Sequence, residues 1–269
     1  MGNMLANVGW SKIIAVAVAF ILPFRKNPGM RMTLWAFVFL LLGAMFTAVG
    51  LPLLVAFPIV HALHPRPYEV YLGFSRWWTI FQCALFYKTE IKGADNLPAT
   101  GGCVVVANHQ SNVDFMALSL LHRRMIIVSK WDVIMLPFLG IPWSLACGHI
   151  LVDRKKKDSG RQAIARGVEL VKQGYCVFLF PEGTRREGTD GKVQDAKIGA
   201  FKMAKDAGVP IVPITIRGAN YIMPNGKFEL NTGTVQMEIH PAFDSKMFEL
   251  EELKTTVMSK IQSKMTKGD

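Results

Sequence analysis

His109 and Asp114 stand five residues apart in Asn108-His109-Gln110-Ser111-Asn112-Val113-Asp114, directly after the apolar run Cys103–Ala107. On a regular helix that spacing turns the two side chains about 140° apart, too far round to meet. A turn ahead of the helix removes the obstacle. If Ser111 caps the helix, His109 lies in the turn before it and Asp114 at its third position. The imidazole can then fold back onto the carboxylate. A carboxylate that fixes one ring nitrogen leaves the other to take a proton from a bound hydroxyl. Ser111-x-x-Asp114 is also a capping-box spacing, in which Asp114 would only satisfy the start of a helix. Spacing alone supports both readings, and a histidine in the same turn, at a strand end, favours the first.

The second polar segment is Phe180-Pro181-Glu182-Gly183-Thr184-Arg185, again at the end of an apolar run that begins at Cys176. Pro-Glu-Gly-Thr is good turn chemistry, with Gly183 able to take positive φ. The missing side chain lets a ligand approach the main chain, and Arg185 can hold a phosphate through two donors. Two other apolar runs end on cations: Met125–Ser129 on Lys130, and Ile150–Val152 on Arg154 after Asp153. Each cation alone could be a solvated surface charge. Together with a His–Asp pair they describe an anion pocket beside a base. Lys155–Lys157 read instead as a surface run facing lipid head groups. His61 and His64 sit at the end of the membrane stretch, and His122, His149 and His240 have no partner at ligand spacing. No HExxH or Cys/His cluster is present, so no metal is expected. A GxSxG nucleophile elbow is absent, which argues against a serine lipid hydrolase.

These residues need a frame that brings them together. Strands are expected at Cys103–Ala107, Met125–Ser129, Ile150–Val152, Cys176–Phe180, Ile211–Ile216 and Thr234–Ile239. Helices are expected at Val113–Leu121, Gly160–Gln173, Ala196–Ala207 and Phe248–Met265. The alternation predicts an α/β fold: a mostly parallel central sheet with helices on both faces. In such a sheet the carboxyl ends of the strands share one rim, where ligands bind. That rim makes His109 and Glu182 neighbours across about seventy residues of chain.

Of the 269 residues, 51% are hydrophobic and 19% charged, which excludes a disordered chain. The net charge of +11 points to an anionic partner. No nucleic-acid-binding motif is present, and the hydrophobic excess tips the choice toward an anionic phospholipid membrane. Residues 1–75 read as a hydrophobic helical membrane anchor and residues 76–269 as the α/β domain. Ile13–Phe24 is too short to span a bilayer. Arg25, Lys26 and Arg31 come next, and Thr33–Val60 then carries no charge. Thr33–Leu51 would make a helix of about 28 Å, near the hydrocarbon thickness. Pro52 and Pro58 are expected to break or kink the chain beyond Leu51. Trp10, Trp35, Trp77 and Trp78 lie near the ends of these stretches, as interfacial aromatics do. One span, or a helical hairpin dipping into one leaflet, fits this pattern; a cleaved signal peptide fits poorly, and Ala6 stands where a myristoylation signal needs Ser or Thr. Cys83, Cys103, Cys147 and Cys176 show no CxxC pairing and are expected to be reduced thiols in a cytosol-like compartment.

Four segments in order resemble the motifs of the glycerolipid acyltransferases. They are Asn108-His109…Asp114, Gly148…Val152-Asp153-Arg154, Phe180–Arg185, and Val209-Pro210-Ile211-Val212-Pro213-Ile214. The likeness is strongest to 1-acyl-sn-glycerol-3-phosphate acyltransferases and covers about Lys88–Pro241. Lys197–Ala204 fits the segment after the third motif, and Ile222–Gly226 with Ile239–Pro241 look most like the bacterial and plastid-type branch. Leu151 departs from an aromatic often found in the second motif, and Trp131-Asp132 from a usual basic–acidic run; both bear on acyl-chain and acceptor preference. The resemblance implies acyl transfer from acyl-CoA or acyl carrier protein to the sn-2 hydroxyl of lysophosphatidate, with no cofactor beyond the thioester substrate. It implies His109 as general base, Asp114 as its orienting group, and Arg185, Arg154 and Lys130 on the acceptor phosphate. Glu182, Gly183 and Thr184 would position the glycerol or face the thioester oxyanion. The catalytic domain would lie on the cytosolic or stromal-like side of a membrane. A remodelling enzyme with another lysolipid acceptor is the alternative. A catalytically silent lipid-binding module is another, and the intact His109 and Asp114 weigh against it.

Overall fold

The computed structural model describes residues 27–135, 140, 144, 146–185 and 191–266. The segment Ile13–Phe24, the start of the chain with Trp10, the pair Arg25–Lys26, and Arg186 lie outside the described residues. Eight strands form one sheet: β1 Lys88–Lys92, β2 Cys103–Ala107, β3 Met125–Lys130, β4 Ile150–Val152, β5 Cys176–Leu179, β6 Pro210–Arg217, β7 Thr234–Ile239 and β8 Phe243–Asp244. Their order is β1-β7-β6-β2-β5-β3-β4, with β8 beside β6. Strands β2 to β6 run parallel to their neighbours in the centre, and β7 and β8 return antiparallel to β6. The sheet is therefore mostly parallel, as the alternating sequence pattern predicts.

Strand β2 explains why the central runs are continuously apolar. All five of its residues are buried. Cys103, Val105 and Ala107 enter one core, with Val113, Met116 and Ala117 of helix α4 (Val113–Leu118) and Ile222 of the short helix α7 (Ala219–Ile222). Val104 and Val106 enter the opposite core. There they meet helices α5 (Ser159–Lys172), α6 (Gly199–Ala207) and α8 (Leu250–Gln262). A strand covered on both faces cannot show polar alternation. The edge strand β1 does: Lys-Thr-Glu-Ile-Lys alternates exposed and half-buried, which blunts its open edge but leaves little sequence signal. Neither β1 nor the two-residue β8 is foreseen from the sequence.

Among the described residues three helices precede the sheet: α1 Pro28–Val55, α2 Phe57–Leu63 and α3 Tyr68–Phe86. Pro52 does not break α1, which continues to Val55; the interruption comes at Ala56. Pro58 falls in the first turn of α2, where its missing N–H costs nothing. The window Pro28–Met45 is long and apolar enough to cross a membrane, with a mean hydropathy of 1.4 and only 11% of it buried. The foot of α1 is nevertheless fixed to the domain. Leu230 N–H donates to the Pro28 carbonyl at 3.0 Å, Arg31 Nε donates to the Leu230 carbonyl at 2.6 Å, and Trp35 is buried. Helix α3 runs straight through the expected division at 75/76. Its Tyr71 and Leu72 are buried in the core that α5 and α6 share, and Glu69 pairs with Arg124 at 3.3 Å.

His149, just ahead of β4, shows how a polar side chain can serve the sheet. Val128 of β3 pairs with Ile150, and one step earlier Ile127 N–H donates to His149 Nδ1 at 2.9 Å. The ring thus extends the ladder where the main chain has already turned away. Burial pushes its pKa down to about 3. The unfolded chain takes up this proton near pH 6.5, whereas the folded chain refuses it until about pH 3. Stability from this group is present above pH 6.5 and is lost as pH falls through that window, with a slope approaching about 1.4 kcal/mol per pH unit. His149→Gln should lower stability at neutral pH and flatten the pH dependence by that slope. Urea titrations in detergent between pH 7 and pH 4 check this, and an unchanged slope would refute it.

Candidate active site

The His109 turn is held from three sides. As β2 ends, the Asn108 side chain takes over its pairing with β6: Nδ2 donates to the Ile216 carbonyl at 2.8 Å and Oδ1 accepts the Ile216 N–H at 2.7 Å. Pairing therefore continues while the main chain is freed to turn. The N–H of His109 donates to Glu182 Oε1 at 2.8 Å. Further along, the Ser111 hydroxyl donates to the Met223 carbonyl at 2.7 Å, and Asn225 Nδ2 donates to the Gln110 carbonyl at 2.8 Å.

In this turn His109 Nδ1 meets Asp114 Oδ2 at 2.8 Å. The same oxygen accepts the N–H groups of Gln110 at 2.7 Å and Ser111 at 2.8 Å. The two readings of Asp114 are thus one arrangement: the carboxylate closes the turn and orients the ring together. Helix α4 starts at Val113, so Asp114 is its second residue, and Ser111 is not its cap. The serine hydroxyl lies 3.5 Å from the Val113 N–H, too long to matter beside its bond to Met223. Asp114 is fully buried and the His109 side chain is 16% exposed. The imidazole stacks on Phe180, with centroids 3.8 Å apart and planes 10° from parallel. One edge and one face of the ring are therefore fixed. With Nδ1–H given to the carboxylate, Nε2 carries the lone pair.

The Phe180–Arg185 turn packs directly against this pair. Glu182 is a clamp: Oε1 takes the His109 N–H and Oε2 takes the Gln194 N–H at 2.8 Å. It is 5% exposed, and its bonds hold the His109 turn in place; the sequence suggests a place on the glycerol or the oxyanion. Gly183 has φ of 73°, and its N–H donates to the Phe180 carbonyl at 3.0 Å, closing the turn. That donor is committed, so of the expected oxyanion donors the turn leaves Thr184. The Thr184 hydroxyl donates to Gln194 Oε1 at 3.2 Å and the residue is exposed. Arg185 donates to Asn112 Oδ1, which holds the guanidinium beside the start of α4. Arg154 donates to the Gly183 carbonyl. Lys130 ends β3 opposite Val152, on the same rim and two positions from Arg154 across the pair; it is exposed and is not bonded into the cluster.

The structure bonds His109 to Asp114 and Glu182, Arg154 to Gly183, and Arg185 to Asn112, all about one turn, with Thr184 and Lys130 at its border. The sequence reading misses Asn108, Phe180 and Gln194 as positioning groups and Lys197 as a cation beside Gly183. Those roles depend on contacts between distant strands, and no local pattern carries them.

Residues 88–217 match the family described as Acyltransferase. A chloroplastic 1-acyl-sn-glycerol-3-phosphate acyltransferase of Brassica napus is 40% identical over 176 residues, covering 64% of this chain and 50% of that protein. The chain spans about half the length of the plant relatives it matches. A 1-acyl-sn-glycerol-3-phosphate acyltransferase of Escherichia coli is 30% identical over 188 residues, 68% of this chain and 74% of that protein. The crystal structure of the 1-acyl-sn-glycerophosphate acyltransferase of Thermotoga maritima has the same fold. It superposes with a TM-score of 0.61 at 24% identity, over 81% of this chain and 95% of that one. Sequence and architecture agree: the chain belongs to the acyltransferase family that includes the 1-acyl-sn-glycerol-3-phosphate acyltransferases.

Proposed function

We propose that this chain transfers a fatty acyl group from an acyl thioester, of CoA or acyl carrier protein, to the sn-2 hydroxyl of lysophosphatidate, giving phosphatidate at a membrane surface. The observation that carries the proposal is the His109–Asp114 bond of 2.8 Å, with Nε2 left to accept a proton beside a basic rim. A secondary alcohol is a weak nucleophile. His109 Nε2 takes its proton as the oxygen attacks the thioester carbonyl. The buried Asp114 carboxylate stabilises the imidazolium that forms. The tetrahedral intermediate collapses with cleavage of the C–S bond. The departing thiolate leaves as such or takes the proton back from His109, so the base is restored. Attack is direct, and no acyl-enzyme is required.

Arg185, Arg154 and Lys130 are assigned to the acceptor phosphate. Their combined charge favours an unsubstituted phosphate, with its higher negative charge, over a head group that carries a choline cation. That favours lysophosphatidate over a remodelling acceptor. Helix α1, apolar and largely unburied, would hold the rim at the lipid boundary where both acyl chains reside. Anionic lipids would attract the exposed Lys155–Lys157 run. The catalytic domain is assigned to the cytosolic or stromal-like face.

Replacing His109 with alanine should cut turnover about a hundredfold to ten-thousandfold while the circular dichroism spectrum stays unchanged. Asp114→Asn should be nearly as severe, because the amide keeps the turn but removes the charge facing the imidazolium. The assay is product mass from purified protein given a panel of lysolipids and both donors. Near-normal transfer by either variant would sink the mechanism, and preference for a lysophosphatidylcholine would sink the acceptor.

The anchor is tested by deleting residues 1–66, which keeps α3 on the domain. The full chain should co-sediment with anionic vesicles in high salt. The deleted form should bind only in low salt, through lysines contributing about 1 kcal/mol each. A thermal melt must show that the deleted form is folded, since Trp35 is lost with α1. Complete sedimentation of the folded, deleted form in high salt would show that another element is the anchor.

A further inference from the structure

Gly183 is crowded by two cations. A Cβ built on it would lie 3.1 Å from Lys197 Nζ and 3.5 Å from Arg154 Nη2. Arg154 also donates to the Gly183 carbonyl. Lys197 is brought there by its own main chain, whose N–H donates to the Pro181 carbonyl at 2.9 Å. Two positive groups thus sit over one glycine that has no side chain to fill the space between them.

Among the described residues neither Lys197 nor Arg154 forms an ion pair, so no carboxylate neutralises them there. The acids nearest in sequence are engaged elsewhere. Asp195 pairs with Lys254 at 3.5 Å, and Asp153 accepts the Lys155 N–H at 3.0 Å. Glu182 directs its two oxygens to the N–H groups of His109 and Gln194. Like charges held this close repel each other, and an anion between them removes the penalty. The Arg185 guanidinium is bonded to Asn112.

We propose that Lys197 acts with Arg154 to hold a phosphate group of one of the two substrates over Gly183, making Lys197 a binding residue. The donor thioester and the acceptor both carry phosphate, and the chemistry at Gly183 is the same for either. The identity of the phosphate rests on the acyl-transfer reading; the existence of the site does not.

The test has two readouts. The first is kinetic. Lys197→Gln should raise the apparent KM about tenfold to a hundredfold for one phosphate-bearing substrate, with a small change in kcat, and Lys197→Arg should restore it. The rise should disappear for the phosphate-free counterpart of that substrate. The counterpart is monoacylglycerol if the phosphate is the acceptor's, and acyl-pantetheine if it is the donor's. An equal rise for phosphate-bearing and phosphate-free substrates would mean a structural role and overturn the proposal. The second readout needs no turnover. Inorganic phosphate, against chloride at equal ionic strength, should protect Lys197 from acetylation about tenfold at ten times its dissociation constant, with exposed Lys227 as the unprotected reference, read by peptide mass. Protection without any acyl transfer by the unmodified protein would discard the proposed function and keep this site. Transfer with no protection of Lys197 and no change in KM would discard the site and keep the function.

Discussion

One carboxylate oxygen organises this site. Asp114 Oδ2 accepts the imidazole N–H and two main-chain N–H groups, and it does so fully buried. Taking a carboxylate out of water costs several kcal/mol unless its bonds are replaced. Three donors on Oδ2 replace much of that. Oδ1 is buried and meets no donor among the described residues. The carboxylate is therefore under-compensated in the resting protein. In the proposed reaction His109 takes a proton, and the imidazolium would then supply a positive charge against it. The interaction would strengthen as the reaction advances, which is the condition for accelerating a step and not merely binding its substrate.

Such a turn survives only if its own main chain is satisfied from outside. Asn108 is bonded to β6 and Glu182 comes from the end of β5, while Ser111 and Gln110 reach Met223 and Asn225 beyond β6. The neighbouring parallel strands β2, β5 and β6 meet here because their carboxyl ends share a rim. The polar residues of the motif thus divide into two kinds. His109 faces the place where chemistry would happen, and the bonds of Asn108, Ser111 and Glu182 are spent on the protein itself.

That division marks what the sequence can reveal. The strands β2, β4 and β7 are legible to the residue, because a short run of β-branched residues bounded by polar turns allows little else. The His109–Asp114 contact is legible because side chains five residues apart cannot pair on a helix and can pair across a turn. The backbone bonds of Glu182 are not legible: a conspicuous acid in a glycine turn looks the same whether it faces a ligand or two backbone amides. Lys197 is read only as the start of the segment after the third motif, since only the fold sets it over Gly183. Edge strand β1 escapes notice because its alternation is that of any charged surface segment. Pro52 misleads because a proline late in a long apolar helix loses only local hydrogen bonding, and the helix can run on for three residues.

The connection between β6 and β7 joins two parts of the molecule that the sequence treats as separate. Met223 and Asn225 in it brace the His109 turn, while Leu230 in it bonds to Pro28 and Arg31 at the foot of α1. The Asn231 N–H donates to the Ile222 carbonyl at 2.7 Å, so the two ends of this short segment are tied to each other. Trp35 of α1 lies in the same core as Val113, Met116 and Ile222. The base of the apolar helix and the His109 turn are consequently positioned by one piece of chain. A freely hinged anchor would hold the domain near lipid without orienting it. Bonds at both main-chain and guanidinium groups at the foot of α1 fix the direction of the helix relative to the rim, and so constrain which face of the domain any surrounding bilayer could meet.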